Sequence, residues 1–188
     1  MYHWTASDFD QNDRFEAWTT ALCGTHLPWQ MSGPSSPFAQ AQIQSLDAGS
    51  LTVVNCQCDP CAGFRDAKTV RRGYDGFYGV LTLRKGRERV RQGEISCELT
   101  PGEMMIWDSA LPAEFQVLES LEKSTLFVSK DQLAHITGSS RLPTGRIDTR
   151  HGDQCLVGLV KADRLIRHGP VKEGFRCVLV VRACHQAR

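Results

Sequence analysis

Residues 77–108, FYGVLTLRKGRERVRQGEISCELTPGEMMIWD, set short runs of β-branched and aromatic residues between glycine- and proline-bearing breaks, and this pattern decides the fold. Lys85-Gly86 and Gln92-Gly93 supply the positive φ that tight hairpin turns need. In Thr100-Pro101-Gly102-Glu103, proline presets one turn dihedral and glycine supplies the positive φ after it, which is a type II turn between two strands. Side chains alternate across a strand, so Phe77, Leu81 and Leu83 share one face while Tyr78, Val80 and Thr82 share the other. Likewise Met104 and Ile106 oppose Met105 and Trp107. Apolar residues on both faces suit a closed sheet with a core or pocket inside and helices outside.

Working outward, the same signals recur at 42–46, 50–56, 76–84, 87–92, 94–99, 103–108, 114–118 and 124–128. About eight antiparallel strands without intervening helices predict a barrel or jelly roll, not a sheet with crossover helices. Before them, Phe15, Trp18 and Leu22 fall on one face of a helix expected over 12–23, with Asp10, Asn12 and Asp13 as candidate caps. Such an aromatic stripe packs a core more often than it binds a ligand. Residues 24–37, with three prolines and two glycines, read as a loop. After Val128, Ser129 is a candidate cap for a short helix through DQLAHI, and GSSRLPTGR reads as a loop. A second helix is expected over 152–168, while the β-branched run at 178–181 fits a helix poorly.

The chain has 188 residues, enough for a single core. The expected division is an N-terminal helix and loop (1–37), a barrel (38–128) and a C-terminal helical, dimerising segment (129–188). The N-terminus carries neither a basic leader nor an apolar stretch, and no run approaches the roughly 18 apolar residues of a membrane span, so a cytoplasmic protein is expected. Eight cysteines at irregular spacing then read as free thiols. Residues 1–140 hold 12 basic and 17 acidic side chains and residues 141–188 hold 10 and 4. A basic tail suits positioning against a polyanion, and equally a solvated helix face or a subunit contact.

The order of these pieces resembles the sensor domain of AraC-type transcription regulators. The residues that carry the likeness are Arg14-Phe15-Glu16-Ala17-Trp18, Leu81-Thr82-Leu83-Arg84-Lys85-Gly86 and Val90-Arg91-Gln92-Gly93. They are followed by Leu99-Thr100-Pro101-Gly102-Glu103, then Ile106-Trp107-Asp108 and Leu126-Phe127-Val128. The resemblance spans about residues 13–135 and implies a cupin-like double-stranded β-helix with flanking helices. It also implies a small-molecule effector, a homodimer, and DNA contact only through a helix-turn-helix reader expected to lie outside this chain. Metal-binding cupins place an H-x-H pair, a Glu and a later His on their strands. Here the histidines are His3, His26, His135, His151, His168 and His185, none between Phe38 and Val128, so neither a metal nor another cofactor is expected in the barrel.

For the effector, Phe64, Tyr78, Met105 and Trp107 are candidate walls, and Arg65 or Arg72 a candidate partner for a carboxylate. Each has a packing reading beside it. Leu156, Leu159, Val160 and Ile166 offer an apolar seam, flanked by Lys161, Arg164 and Arg167, for a dimer or for the barrel wall. The competing class is a thiol-dependent enzyme or redox sensor. Cys56, Cys58 and Cys61 in CQCDPC are the candidate soft-metal or redox group, and Cys155 with His151 the candidate nucleophile and base.

Overall fold

The computed structural model describes residues 1–34, 37–48, 51–73, 76–137 and 140–147. In chain order the elements are β1 (Tyr2–Thr5), α1 (Arg14–His26), β2 (Gln30–Ser32), β3 (Ala41–Ala48), β4 (Leu51–Cys58), β5 (Ala62–Arg65) and α2 (Ala67–Arg72). They continue with β6 (Phe77–Lys85), β7 (Glu88–Gln92), β8 (Ile95–Leu99), β9 (Met104–Asp108), β10 (Ala113–Val117), β11 (Leu121–Ser129), α3 (Lys130–Thr137) and β12 (Gly145–Ile147). Two antiparallel sheets face each other, in the orders β1-β3-β4-β11-β6-β9-β12 and β2-β5-β10-β7-β8. The fold is the jelly roll that the strand pattern predicts, of the cupin-like type that the resemblance implies.

The turns form as their residues dictate. Gly86, Gly93 and Gly102 adopt φ of 81°, 58° and 91°. In the last of these the Glu103 amide donates to the Thr100 carbonyl at 3.0 Å, the hydrogen bond of a β-turn. At Gly86 a Cβ would sit 2.4 Å from the Ser120 carbonyl, so both backbone sign and space require glycine.

Strand parity divides the apolar residues into two clusters. Ile43, Val54, Cys56, Cys58, Leu81, Leu83, Met105, Trp107, Leu121 and Phe127 point between the sheets. Leu51, Val53, Tyr78, Val80, Met104, Ile106, Leu126 and Val128 form the outer face of the larger sheet, joined by Leu133 of α3. The smaller sheet presents charge instead: Arg87, just before β7, and Arg89 and Arg91 on it pair outward with Glu119, Glu98 and Glu114, while Glu88, Val90 and Gln92 turn inward.

Helix α1 begins later and ends later than the expected 12–23. Asp13 is its N-cap residue without a side-chain cap bond, and Leu27, at φ 73°, together with Pro28 turns the chain away after His26. Trp18, Leu22 and His26, spaced by four, all go down between the sheets. The expected loop over 24–37 contains β2, and GSSRLPTGR leads into β12. β1, β5 and α2 are further elements that the strand pattern did not announce. The region 152–168, with Leu156, Leu159, Val160 and Ile166, lies outside the described residues, as do His151 and Cys155.

Candidate functional site

The space between the sheets is polar at its centre. Lys123 of β11 and Glu88 of β7, on opposite sheets, meet at 2.5 Å with 8% and 0% of their side chains exposed. Parity explains both: Lys123 stands beside Cys56 in register, and Glu88 alternates with outward arginines. Burial lowers the affinity of the Lys123 ammonium for its proton, but the adjacent Glu88 carboxylate outweighs this and holds it above its ordinary value. The group is therefore a fixed cation, not a nucleophilic amine.

His26 completes this centre from α1. Its Nδ1 is 3.1 Å from the Thr25 hydroxyl, its ring stands edge-on to Phe127, and its Nε2 has no hydrogen-bonding partner among the described residues. Burial first and the Lys123 charge second push its pKa down to about 3, so the imidazole is neutral. Although the strands between Phe38 and Val128 carry no histidine, the barrel interior does, because a helix delivers it. Glu88 Oε2 and Trp18 Nε1 likewise lack partners among the described residues. A cavity of about 40 Å³ runs among these groups, walled by Trp29, Trp107 and Phe115.

At the barrel mouth a wider groove of about 880 Å³ opens between α1 and the inner face of β1, β3 and β4. Trp4, Phe9, Phe77 and Phe127 line it, with Asp13, Glu16 and Asp47. Phe127 also contacts His26 and Trp107, both of which border the inner cavity. That ring is the partition between mouth and interior.

Among the expected effector residues, the fold brings Arg65, Met105 and Trp107 to the interior side. Arg65 is 1% exposed, its guanidinium carbon 5.6 Å from the Trp29 ring and 5.9 Å from the Trp107 ring. Met105 is fully buried and reached by the Cys97 thiol at 3.3 Å. Phe64, Arg72 and Tyr78 are corrected. Phe64 alternates with Arg65 and points to solvent, 39% exposed. Arg72 lies exposed in the last turn of α2. Tyr78 is buried on the outer face beneath the Lys130 ammonium, across the sheet from Trp107. The sequence reading missed Lys123, Glu88 and His26. For the first two the signal was available: a charged residue at the same parity as the apolar Val90 of β7 or Leu121 and Phe127 of β11.

Cys56, Cys58 and Cys61 gather as buried free thiols in the same core. Hydrogen bonds with Cys56 and Cys61, then burial, hold the Cys58 thiol well above its usual value, which keeps it protonated. Among the described residues no group of three His, Cys, Asp or Glu side chains is arranged to hold a metal ion.

The sequence matches the AraC-binding-like domain family over residues 16–158. The chain belongs to this family. Its AraC-binding-like fold is similar to that of the AraC-like transcriptional activator CuxR, at 16% identity and a TM-score of 0.73, over 92% of this chain and 63% of that one. This chain therefore spans just under two thirds of that regulator. Weaker likenesses reach KdgF from Halomonas sp. (16% identity, TM-score 0.40, 53% of this chain and 83% of that one). Another is the Schizosaccharomyces pombe Cnp3 cupin domain (10% identity, TM-score 0.40, 60% and 77%). No curated protein matches. In this AraC-binding-like domain no described helix is long and apolar enough to cross a membrane.

Proposed function

We propose that this domain senses a small-molecule effector inside its barrel and, as a cytoplasmic homodimer, passes occupancy to an AraC-type DNA reader. The observation that carries the reading is the interior itself. A β-barrel serving structure alone is filled by packed side chains, whereas this one buries Lys123, Glu88 and His26 and leaves Glu88 Oε2, His26 Nε2 and Trp18 Nε1 without partners among the described residues. Buried polar atoms without partners each cost about 1–3 kcal/mol, a cost that a ligand offering donors and acceptors removes. The mouth groove of about 880 Å³ has the size of a small-molecule site, and the Phe127 ring alone stands between it and His26 and Trp107 of the inner cavity. A ligand that binds the folded chain alone raises the unfolding midpoint. A thermal-shift series with small carboxylates and sugars tests this; the expected hit shifts the midpoint saturably, and a series in which nothing does so argues against the sensor.

Dimerisation is assigned to Leu156, Leu159, Val160 and Ile166. Sedimentation of the wild type against Leu159→Asp tests it. A folded variant that stays dimeric removes this seam from the interface.

A further inference from the structure

Resting on the sensor reading above, we infer that Arg65 receives the anionic group of the effector, and that the ligands read by this barrel are organic carboxylates. Arg65 ends β5, in register with Ala113 of β10, and its inward parity puts it on the face of Gly63 and opposite to exposed Phe64. With the residue 1% exposed, its Nε, Nη1 and Nη2 all lack a hydrogen-bonding partner among the described residues. Lys123, the other buried lysine or arginine among the described residues, has a carboxylate at 2.5 Å. Trp29 and Trp107 flank the guanidinium and attract its positive charge, but an indole face offers no acceptor for the fork of N–H groups. An uncompensated buried charge is strongly destabilising, so packing alone is a poor reason to keep arginine here.

The missing component has a defined chemistry. A planar guanidinium fork matches a carboxylate in two parallel charge-assisted hydrogen bonds. Gly73 and Pro28 close one side: a Cβ on Gly73 would lie 3.2 Å from Pro28 and 3.6 Å from Nη2 of Arg65. Arg65 does not itself line the inner cavity, but the two indoles that flank its guanidinium do, so a ligand held by Arg65 reaches that cavity past Trp29 and Trp107. At about 40 Å³ the cavity holds only a small acid as it stands, and an aromatic acid enters by parting those rings.

The test uses the full chain with sodium formate, sodium benzoate and neutral benzamide, at matched ionic strength against sodium chloride. Unfolding midpoint and tryptophan fluorescence are read in wild type, Arg65→Met and Arg65→Lys. The inference requires saturable responses to formate and benzoate in the wild type, loss of both in Arg65→Met, and benzoate binding weakened about tenfold or more in Arg65→Lys, which cannot make the planar fork. It also requires that Arg65→Met without ligand unfold at or above the wild-type midpoint. Benzoate binding unchanged by Arg65→Met overturns the assignment. So does a lower midpoint for Arg65→Met with no carboxylate response in the wild type, which makes Arg65 a packing residue. If benzamide raises the midpoint equally in wild type and Arg65→Met while the anions do nothing, the sensor reading stands and the carboxylate assignment falls. Silence of all three probes in the wild type counts against both.

Discussion

His26 shows how one side chain ties the helix to the chemistry of the barrel. Its pKa is pushed down to about 3 by burial and by the Lys123 charge, while in the unfolded chain an imidazole takes its proton near 6.5. Between those values the unfolded state binds the extra proton. The stabilising contribution is therefore complete above pH 6.5 and is lost as pH falls toward 3, at up to about 1.4 kcal/mol per pH unit. Urea unfolding of wild type and His26→Gln at pH 7, 6 and 5 should show the wild type losing roughly 2 kcal/mol more by pH 5. Parallel pH profiles would remove His26 from this role. Gln92 makes a second residue-scale case. Buried at inward parity, it donates from Nε2 to the Asp108 carbonyl at 2.9 Å and accepts from the Asp108 amide at 2.8 Å, joining the smaller sheet to β9. Gln92→Ala strands both backbone groups and should cost about 1–3 kcal/mol in chemical unfolding, whereas an exposed change such as Glu94→Ala should stay within about 0.5 kcal/mol.

Elements are legible where their own pattern is strong, and edges are where it fails. The eight strands expected from alternation and turns all form, most within two residues of the expected bounds, because each is held by inward apolar side chains and fixed turn chemistry. β1, β2 and β12 are sheet edges, three or four residues long, and arise from pairing with a neighbour instead of from their own composition. Parity read correctly which residues of β6 and β9 face together, yet it could not say which face is the interior, and Tyr78 was consequently paired with Trp107. Gly79 of β6 is the element-scale counterpart. In register opposite Trp107, it lies so close that a Cβ there would meet the indole Nε1 at 2.2 Å. The ring is rigid, so Gly79→Ala has to displace Trp107, with an expected cost of about 1–3 kcal/mol. Because Trp107 flanks Arg65, near-ultraviolet circular dichroism should change along with stability. A Gly79→Ala protein with wild-type spectrum and midpoint would mean that the indole is not held against the strand.

At the scale of the whole molecule, the Lys123–Glu88 pair joins the two sheets through the middle of the barrel, and its energetics separate a stabilising strut from a feature kept for binding. Desolvating two charges costs about as much as their attraction returns, whereas removing one partner leaves the other buried and alone, typically at about 3–5 kcal/mol. Lys123→Met and Glu88→Leu should therefore each destabilise strongly. The double variant Lys123→Met/Glu88→Leu replaces the pair by apolar side chains of similar volume, and it should recover to within about 1 kcal/mol of the wild type or exceed it. Urea unfolding of the four proteins gives the coupling energy directly. If the double variant is as unstable as the worse single one, the pair is a structural strut. If it is as stable as the wild type but no longer shifts its midpoint with a ligand that shifts the wild type, the charges are held for the ligand. That outcome is the one expected of a sensor, in which interior stability is given up to keep groups for a guest.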